Sequence, residues 1–263
     1  MNFYFCVYSN EKYKKPRKAL LNLAKKSEIF QKTFEYDRNW LEKTEFYKEN
    51  IEILDPNSKG DGWCLWKPYI ILKTLEEIEE GEILLYMDST DTFSPGIKSF
   101  LESHFIENDI LLCEMGESPN KNYTKRDTFH YMECDSEEYW NSIQLEAGII
   151  GIRKNRKNLE IIKEYLEYCK DERIIKSGPN VSGKENLPGY VDHRYDQSVL
   201  TNIKTKYSIL PSKFLRNYIE CNMWESLNYW GDLTEFERKK KLMVSKNHKH
   251  HNFWVKNYLK KLL

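Results

Sequence analysis

The sequence predicts an α/β domain with a mostly parallel central sheet flanked by helices. Three observations predict this fold: apolar runs of strand length recur along the chain, amphipathic segments stand between them, and the linkers are short. The chain has 263 residues, of which 40% are hydrophobic and 14% aromatic, which is enough for one large core. No linker separates two halves, so we expect residues 1–263 to form a single domain.

The first half of the chain alternates predicted strands with predicted helices. NFYFCVYS at residues 2–9 is typical of a buried strand, and ALLNLAKKSEIF at 19–30 has helical apolar spacing. IEIL at 51–54 is predicted as a short second strand, and WKPYIILKTLEEIEE at 66–80 as an amphipathic helix. EILLYM at 82–87 is then predicted as a strand that is buried on both faces.

The second half continues the alternation. The predicted strands are DILLCEM at 109–115, EAGIIGIRKN at 146–155 and SILP at 208–211. The predicted helices lie within residues 94–105, 159–171 and 196–207. Two stretches are expected to be irregular, because 116–140 is polar and aromatic and 171–192 is rich in Gly, Pro and Asn.

The charge of the chain bears on its partners. Lys plus Arg equals Asp plus Glu at 41 each, so the formal net charge is zero, which argues against a general nucleic-acid binder. Basic residues are concentrated between Arg238 and Lys261. That tail is either a solvated C-terminal helix or a surface that meets anionic phosphate or lipid, giving weak peripheral membrane contact.

The six cysteines are scattered and include no Cys-x-x-Cys pair, which argues against a zinc knuckle. Met1 leads directly into an apolar strand pattern without a basic region before it, so we expect no signal peptide. No apolar run reaches the length of a membrane span. These features predict a cytoplasmic, reducing location.

An acidic turn follows the predicted strand 82–87. Asp88-Ser89-Thr90-Asp91 sets two carboxylates three residues apart at the carboxyl end of a strand, where ligands bind in open α/β sheets. Hard oxygen ligands suit Mg²⁺ or Mn²⁺, and such an ion stabilises a departing diphosphate. The alternative is a turn in which Asp91 caps the next helix.

The segment Gly60-Asp61-Gly62-Trp63-Cys64-Leu65-Trp66-Lys67-Pro68 is a second candidate. Its glycines permit close approach of the backbone, and the helix N-terminus that follows favours an anion. Lys67 stands in the first turn of that helix and could reach a phosphate. Alternatively, the Trp residues fill the core and Lys67 is solvated.

Three further clusters have both a chemical and a structural interpretation. Asp196 in HRYDQS is a general base, a hydroxyl ligand or a transition-state stabiliser, or else a helix N-cap. The run Tyr123–Asp127 is a substrate contact or a solvated charge cluster. The three histidines in Asn247–Asn252 include a metal ligand or form a surface tail.

Taken together, these motifs resemble a known enzyme family. WKPYIILKTL, GEILLYMDSTD, YTKRD, QLEAGIIGIRKN and HRYDQSVL stand in the order found in small glycosyltransferases of bacterial surface polysaccharides and large viruses. Those enzymes have the GT-A fold, which is Rossmann-like and carries a metal-binding DxD or DxxD turn. The order of motifs is also similar to the glycosyltransferase domain of procollagen lysyl hydroxylases, and the resemblance spans residues 3 to about 256.

The resemblance implies a role for each matching residue. Asp88 and Asp91 would hold Mn²⁺ (or Mg²⁺) between the donor phosphates, and His250 would complete the metal site, with His248 and His251 as alternatives. The residues implied to contact the nucleotide-sugar donor are Val7, Tyr8, Ser9, Trp63, Lys67, Asp88, Gln197 and Lys256, the last in a His-x5-Lys pattern. Those implied near the reacting sugar and the acceptor are Gln144, Glu146 and Asp196.

The predicted function is therefore transfer of a hexose from a nucleotide-diphosphate sugar, UDP-linked, to a glycan or lipid-linked glycan acceptor. Residues 1–115 would bind the nucleotide and residues 116–263 the acceptor. The terminal His pattern favours retention of configuration, whereas Asp196 acting as a base would permit inversion. Two other classes stay open: a nucleotide-sugar or glycan binding module without turnover, and a metal-dependent nucleotidyl- or phosphotransferase. The absence of glycine in SNEKYKKPRK after the first strand counts against the latter.

Overall fold

A five-stranded sheet runs through the computed structural model, which describes residues 1–94, 96–212, 215 and 218–220. The strands, in chain order, are β1 (Phe3–Ser9), β2 (Phe30–Asp37), β3 (Ile83–Met87), β4 (Thr92–Phe93), β5 (Ile110–Pro119), β6 (Ile143–Arg153) and β7 (Ile219–Glu220). The helices are α1 (Lys14–Lys26), α2 (Arg38–Leu41), α3 (Glu45–Glu49), α4 (Gly60–Trp63), α5 (Trp66–Glu77), α6 (Ile97–Glu107), α7 (Asn120–Tyr123), α8 (Arg126–Tyr131), α9 (Glu137–Asn141), α10 (Arg156–Cys169), α11 (Glu172–Ile175) and α12 (Tyr195–Lys206).

The central sheet has the strand order β2-β1-β3-β6-β5. β1 pairs in parallel with both β2 and β3, whereas β6 pairs antiparallel with both β3 and β5. Four of these five strands therefore run in one direction and only β6 opposes them. β4 and β7 form a separate antiparallel pair. The predicted α/β domain with a mostly parallel sheet is confirmed.

Helices cover both faces of the sheet, and β3 shows why it must be apolar throughout. Leu84 and Tyr86 face one core, which is filled mainly from α5, α10 and α12. Ile83, Leu85 and Met87 face the other core, which is filled from α1 and α6. Burial of each such apolar side chain stabilises the fold by about 1.5–3 kcal/mol. The resulting rigid strand fixes where Asp88 emerges.

Three element predictions were wrong. The second strand is β2 at Phe30–Asp37, and residues 51–54 form a turn. β2 lies at the edge of the sheet with mostly accessible side chains, so its apolar signal is weak. Residues 208–211 carry no strand, and Leu210 is exposed. The stretch 116–140 continues β5 and then forms the short helices α7, α8 and α9.

A bulge in β6 shapes the sheet next to the acidic turn. Where β5 advances from Leu111 to Cys113, the partner on β6 moves from Gly151 to Glu146, so β6 carries surplus residues between them. This surplus brings Gly148 beside the end of β3, where its carbonyl accepts a hydrogen bond of 2.7 Å from the Asp88 N–H. Within the described residues, no helix has the length and apolar character needed to cross a membrane.

Candidate active site

The acidic turn stands where the sequence predicts it, immediately after β3. The Asp91 N–H donates to the Asp88 carbonyl at 3.0 Å, which closes the turn. Asp91 is buried and is followed by β4, so it caps no helix. Asp88 remains partly open to solvent, with 36% of its side chain exposed. The pair therefore occupies the carboxyl edge of the sheet.

One oxygen of the Asp88 carboxylate is held by neighbouring side chains. Tyr86, two residues earlier on β3, donates its hydroxyl proton to Asp88 Oδ1. Lys67 Nζ lies 3.4 Å from the same oxygen. Because Tyr86 and Asp88 are two residues apart along an extended chain, they share one face of the sheet. Asp88 is thus fixed in orientation before any ligand arrives.

Lys67 is buried and lies between two carboxylates. Its Nζ is 3.4 Å from Asp88 Oδ1 and 3.1 Å from Asp196 Oδ2, and it donates to the Ala147 carbonyl at 3.1 Å. The ammonium therefore has two carboxylate neighbours and one backbone hydrogen-bond acceptor. Burial alone would lower the pKa of Lys67, but the charges of Asp196 and Asp88 outweigh it and raise the pKa above its ordinary value.

Asp196 lies in the first turn of α12 and is 3% exposed. Its Oδ2 accepts a hydrogen bond from the Tyr165 hydroxyl at 3.0 Å in addition to the Lys67 contact. Arg194 is the N-cap residue of this helix, so Asp196 does not cap it. Burial raises the pKa of Asp196, and Asp88 adds to the rise, whereas Lys67 opposes it.

Carboxylates from the turn after β3 and from β6 face the space above Gly148. A β-carbon placed on Gly148 would lie 2.7 Å from Asp91 Oδ2, 3.5 Å from Asp88 Oδ2 and 3.5 Å from Glu146 Oε1. We call this space the carboxylate cradle. A side chain would fill it, so glycine keeps it open. Hard oxygen donors on several sides are the ligands that Mg²⁺ and Mn²⁺ prefer.

The carboxylates of the cradle form an incomplete set of ligands for a metal ion. Across the described ranges of the chain, no group of three or more His, Cys, Asp or Glu side chains is arranged to hold a metal ion. His250 and Lys256 lie outside the described residues. A divalent ion at the cradle would need further oxygens, and Mg²⁺ commonly takes these from substrate phosphates and water. The residues present fit such a shared site.

Gln144 and Glu146 lie on β6, the strand that carries Gly148, and Gln197 lies on α12. Gln144 is fully buried, and both atoms of its amide group are without a hydrogen-bond partner. A buried amide is normally hydrogen-bonded, so we expect a polar ligand or a water molecule to bind the Gln144 amide. Gln197 Oε1 accepts from the Ala147 N–H at 3.4 Å, and Glu146 Oε1 faces Gly148.

The residues at the end of β1 are held by packing and by hydrogen bonds to neighbouring side chains. Val7 is fully buried in the core on the α1 side, so only its backbone could meet a nucleoside. Tyr8 stacks on Trp66 with ring centroids 4.1 Å apart, and its hydroxyl donates to Asp61 at 2.6 Å. The Arg17 guanidinium donates to the carbonyl and hydroxyl oxygens of Ser9 at 2.9 and 3.2 Å.

The glycine-rich segment before α5 adopts an uncommon backbone. Five consecutive residues from Gly60 to Cys64 have positive φ, so α4 is a left-handed turn and not an ordinary helix. Trp63 is thereby turned toward Tyr195, and the two rings meet edge to face with centroids 5.1 Å apart. Both side chains are partly exposed.

The run Tyr123–Asp127 has a structural role at its acidic end. Asp127 is fully buried, and its carboxylate accepts backbone N–H groups of Val181 and Ser182 at 2.7 and 3.1 Å. It therefore anchors the loop 176–192 on α8. Lys125 is also buried, and burial lowers its pKa.

Some residues of this site carry weak or no sequence signals. Tyr86 could have been found from its strand position relative to Asp88, and Gly148 from the rule that a glycine within a strand marks a bulge or a close approach. Tyr165 could not, since nothing in the periodicity of α10 distinguishes it from a core residue. Tyr195 is likewise ordinary in sequence.

No protein-family model matches the sequence, and no curated protein matches it. Several solved structures are similar in fold. Mouse xyloside xylosyltransferase 1 is 12% identical with a TM-score of 0.43, over 81% of this chain and 84% of that one. The galactosyltransferase LgtC is 10% identical with a TM-score of 0.40, over 76% of this chain and 70% of that one.

A third similar structure is a glycosyltransferase involved in glycosylation of the major capsid of the virus PBCV-1. It is 16% identical with a TM-score of 0.39, over 73% of this chain and 81% of that one.

Proposed function

We propose that the protein is a metal-dependent glycosyltransferase that moves a hexose from a nucleotide-diphosphate sugar, UDP-linked, to a glycan acceptor. The observation that carries the proposal is the carboxylate cradle above Gly148, which adjoins the buried Lys67–Asp196 ion pair. The cradle suits a divalent cation with phosphate oxygens, and the ion pair supplies a fixed carboxylate beside it.

Asp88 and Asp91 are the proposed metal ligands, with His250 as a further ligand from the part of the chain outside the described residues. When bound, Mn²⁺ or Mg²⁺ offsets the negative charge of the donor diphosphate and stabilises it as a leaving group. Lys67 holds Asp88 in place from the other side, because its ammonium is shared between Asp88 and Asp196.

Transfer breaks the bond between the anomeric carbon and the diphosphate oxygen and forms a bond to the oxygen of an acceptor hydroxyl. The hydroxyl proton passes to Asp196 in an inverting reaction, or to the departing diphosphate in a retaining one. Asp196 is proposed to lie near the reacting carbon, and Glu146 and Gln144 to line the sugar and acceptor pocket. The buried, unpartnered amide of Gln144 supports a polar ligand there. Analysis of the product's anomeric configuration decides between retention and inversion.

The remaining donor contacts follow from position. The backbone at Val7 and the side chains of Tyr8 and Ser9 end β1 at the same edge of the sheet as Asp88, which suits a nucleoside. Gln197 is proposed to contact the donor sugar and Lys256 the donor phosphates. Residues 1–115 would then bind the nucleotide and residues 116–263 the acceptor, and the similarity in motif order to lysyl hydroxylase domains stays a prediction.

A test compares two variants that attack the cradle differently. Asp88→Asn removes a ligand charge, and Gly148→Ala fills the cradle without a strained φ. Both are expected to lose at least tenfold in Mn²⁺-dependent UDP binding, measured by calorimetry, and to lose transfer from UDP-hexoses. Asp109→Asn, at the opposite end of the sheet before β5, is the control and should bind like the wild type.

If both cradle variants bind UDP in Mn²⁺ like the wild type and still turn over, the metal assignment is wrong. A wild-type protein that binds UDP-sugars with Mn²⁺ but neither hydrolyses nor transfers them would instead be a binding module. Release of pyrophosphate from a nucleoside triphosphate and a sugar phosphate would identify a nucleotidyltransferase.

A further inference from the structure

Four residues with unfavourable backbone angles gather at one side of the candidate active site. In the described part of the chain, seven non-glycine residues have positive φ, and four of them are Asp61 (55°), Trp63 (54°), Cys64 (60°) and Tyr195 (49°). L-residues avoid this region, and bulky ones especially so. Such residues persist only where the surroundings over-determine them, and they cluster at functional sites.

The surroundings of the left-handed turn are well defined. Asp61 accepts hydrogen bonds from the Tyr8 hydroxyl at 2.6 Å and from Arg38 Nη1 at 3.3 Å. The Trp66 indole N–H donates to the Gly60 carbonyl at 2.9 Å. These contacts hold the strained segment in one conformation, and the strained segment in turn holds the Trp63 ring.

Trp63 and Tyr195 form a partly exposed aromatic pair. Their ring planes are 70° apart and their centroids 5.1 Å apart, so the rings enclose a corner. Tyr195 immediately precedes Asp196, and Cys64 after Trp63 is close enough to Asp196 to interact with it electrostatically. The corner therefore lies at the start of α12, the helix turn that carries Asp196.

We infer that the Trp63–Tyr195 pair binds a pyranose ring of the acceptor, an inference that rests on the proposed function. Flat aromatic faces fit the apolar C–H face of a sugar ring, while the indole N–H and phenol O–H are polar groups at the edge. The donor's diphosphate belongs at the carboxylate cradle. Along the chain of contacts, the Lys67–Asp196 ion pair lies between the cradle and the aromatic pair.

The acceptor assignment differs from the expectation that Trp63 adjoins the donor. A residue used only for packing would gain by adopting an ordinary backbone, since nothing about core filling requires a left-handed Trp next to a left-handed Tyr. Both rings pack partly on the core formed with α5 and α12, yet both remain partly exposed. The strain therefore serves the placement of the rings.

The test uses the full chain saturated with Mn²⁺ and UDP, and methyl pyranosides of glucose, galactose, mannose and N-acetylglucosamine as probes. Binding is followed by ligand-observed NMR. Trp63→Gly and Tyr195→Gly remove a ring and relieve the backbone at once, so each should weaken the best probe at least tenfold, about 1.4 kcal/mol. Trp63→Phe and Tyr195→Phe should recover most of that loss.

Ser208→Gly is the matched control, because Ser208 also has positive φ (51°) but is exposed and follows the opposite end of α12 from Tyr195. It should bind the probes like the wild type. Unchanged probe affinity in both ring-deletion variants would overturn the inference, as would a wild type that binds none of the four glycosides. A wild type that does not bind UDP in the presence of Mn²⁺ is a separate result, and it would overturn the proposed function instead.

Discussion

At the scale of single residues, Lys67 is the residue whose role in the structure differs most from the role that the sequence predicts. Its position before Pro68 at a helix start favours a phosphate ligand, but its ammonium is engaged by Asp88, Asp196 and a backbone carbonyl. Its buried charge is compensated there, so removal would leave two carboxylates facing each other. Lys67 is therefore best understood as the residue that fixes both carboxylates.

This role predicts a change in pH dependence. Burial and Asp88 raise the pKa of Asp196 while Lys67 lowers it, so Lys67→Met should raise that pKa further. If ionised Asp196 is required, activity falls as pH drops through its pKa. The acid limb of the kcat profile for UDP-sugar hydrolysis should therefore move to higher pH in Lys67→Met, together with a large loss of rate.

Lys67→Arg serves as the comparison, since it keeps a positive charge and should leave the acid limb near the wild-type position. An unchanged acid limb in Lys67→Met, in a protein that still melts cooperatively, would show that Lys67 does not control the ionisation of Asp196.

At the scale of elements, the left-handed turn α4 is the least expected feature. Gly62 has φ of 101°, and a β-carbon there would lie 2.8 Å from Leu54 Cα. The turn can be this close to the backbone at Leu54 only because position 62 lacks a side chain. Arg38 holds the same stretch by donating to the Leu54 carbonyl at 2.7 Å.

Gly62→Ala should therefore destabilise the fold more than replacement of a glycine that has a positive φ but no close neighbour. Gly81 has a similar φ of 83°, and a β-carbon there would meet nothing within 4 Å, so Gly81→Ala measures the backbone strain, about 1–2 kcal/mol. We expect Gly62→Ala to cost about 2 kcal/mol more, because backbone atoms cannot yield as a flexible side chain can. Urea denaturation of both variants measures the difference, and equal values would contradict the contact at Leu54.

At the scale of the whole molecule, His193 joins three helices of the second half. It is fully buried between α8, α11 and α12, its Nε2 hydrogen-bonds to the Ile174 carbonyl at 2.9 Å, and its Nδ1 accepts from the Lys125 N–H at 3.4 Å. Burial, with the nearby Lys125 charge, lowers its pKa to about 3. The folded protein thus keeps His193 neutral where the unfolded chain would protonate it.

Stability should therefore fall as the solution is acidified. A histidine in the unfolded chain titrates near pH 6.5. The stability of the folded state therefore suffers no loss from His193 above that pH, and it declines as pH falls from there toward 3. Between pH 7 and pH 5 the loss is about 2 kcal/mol. His193→Gln should remove that part of the pH dependence. Urea unfolding of both proteins at pH 7 and pH 5 tests this. If the wild type and His193→Gln lose the same free energy of unfolding between the two pH values, the prediction is refuted.

Much of the fold could be predicted because its signals are local. The apolar run of β3, the amphipathic spacing of α5, α10 and α12, and the acidic turn after β3 all follow from short stretches of sequence. β2 escaped prediction because an edge strand needs no continuous apolar face. The direction of β6 also depends on its neighbours, since its residues suit a parallel or an antiparallel strand equally.

The candidate site divides in the same way. The α/β class, the position of Asp88 and Asp91 at a strand end, and the candidacy of Lys67 and Asp196 can all be derived from the order of residues, because strand and helix periodicity fix those positions. The folded chain was needed to show that Lys67 joins Asp88 to Asp196, that Gly148 opens a cradle beneath three carboxylates, and that Trp63 meets Tyr195. Those contacts join residues far apart in the chain, and their geometry depends on a bulge and a left-handed turn whose conformations are held by the surrounding packing.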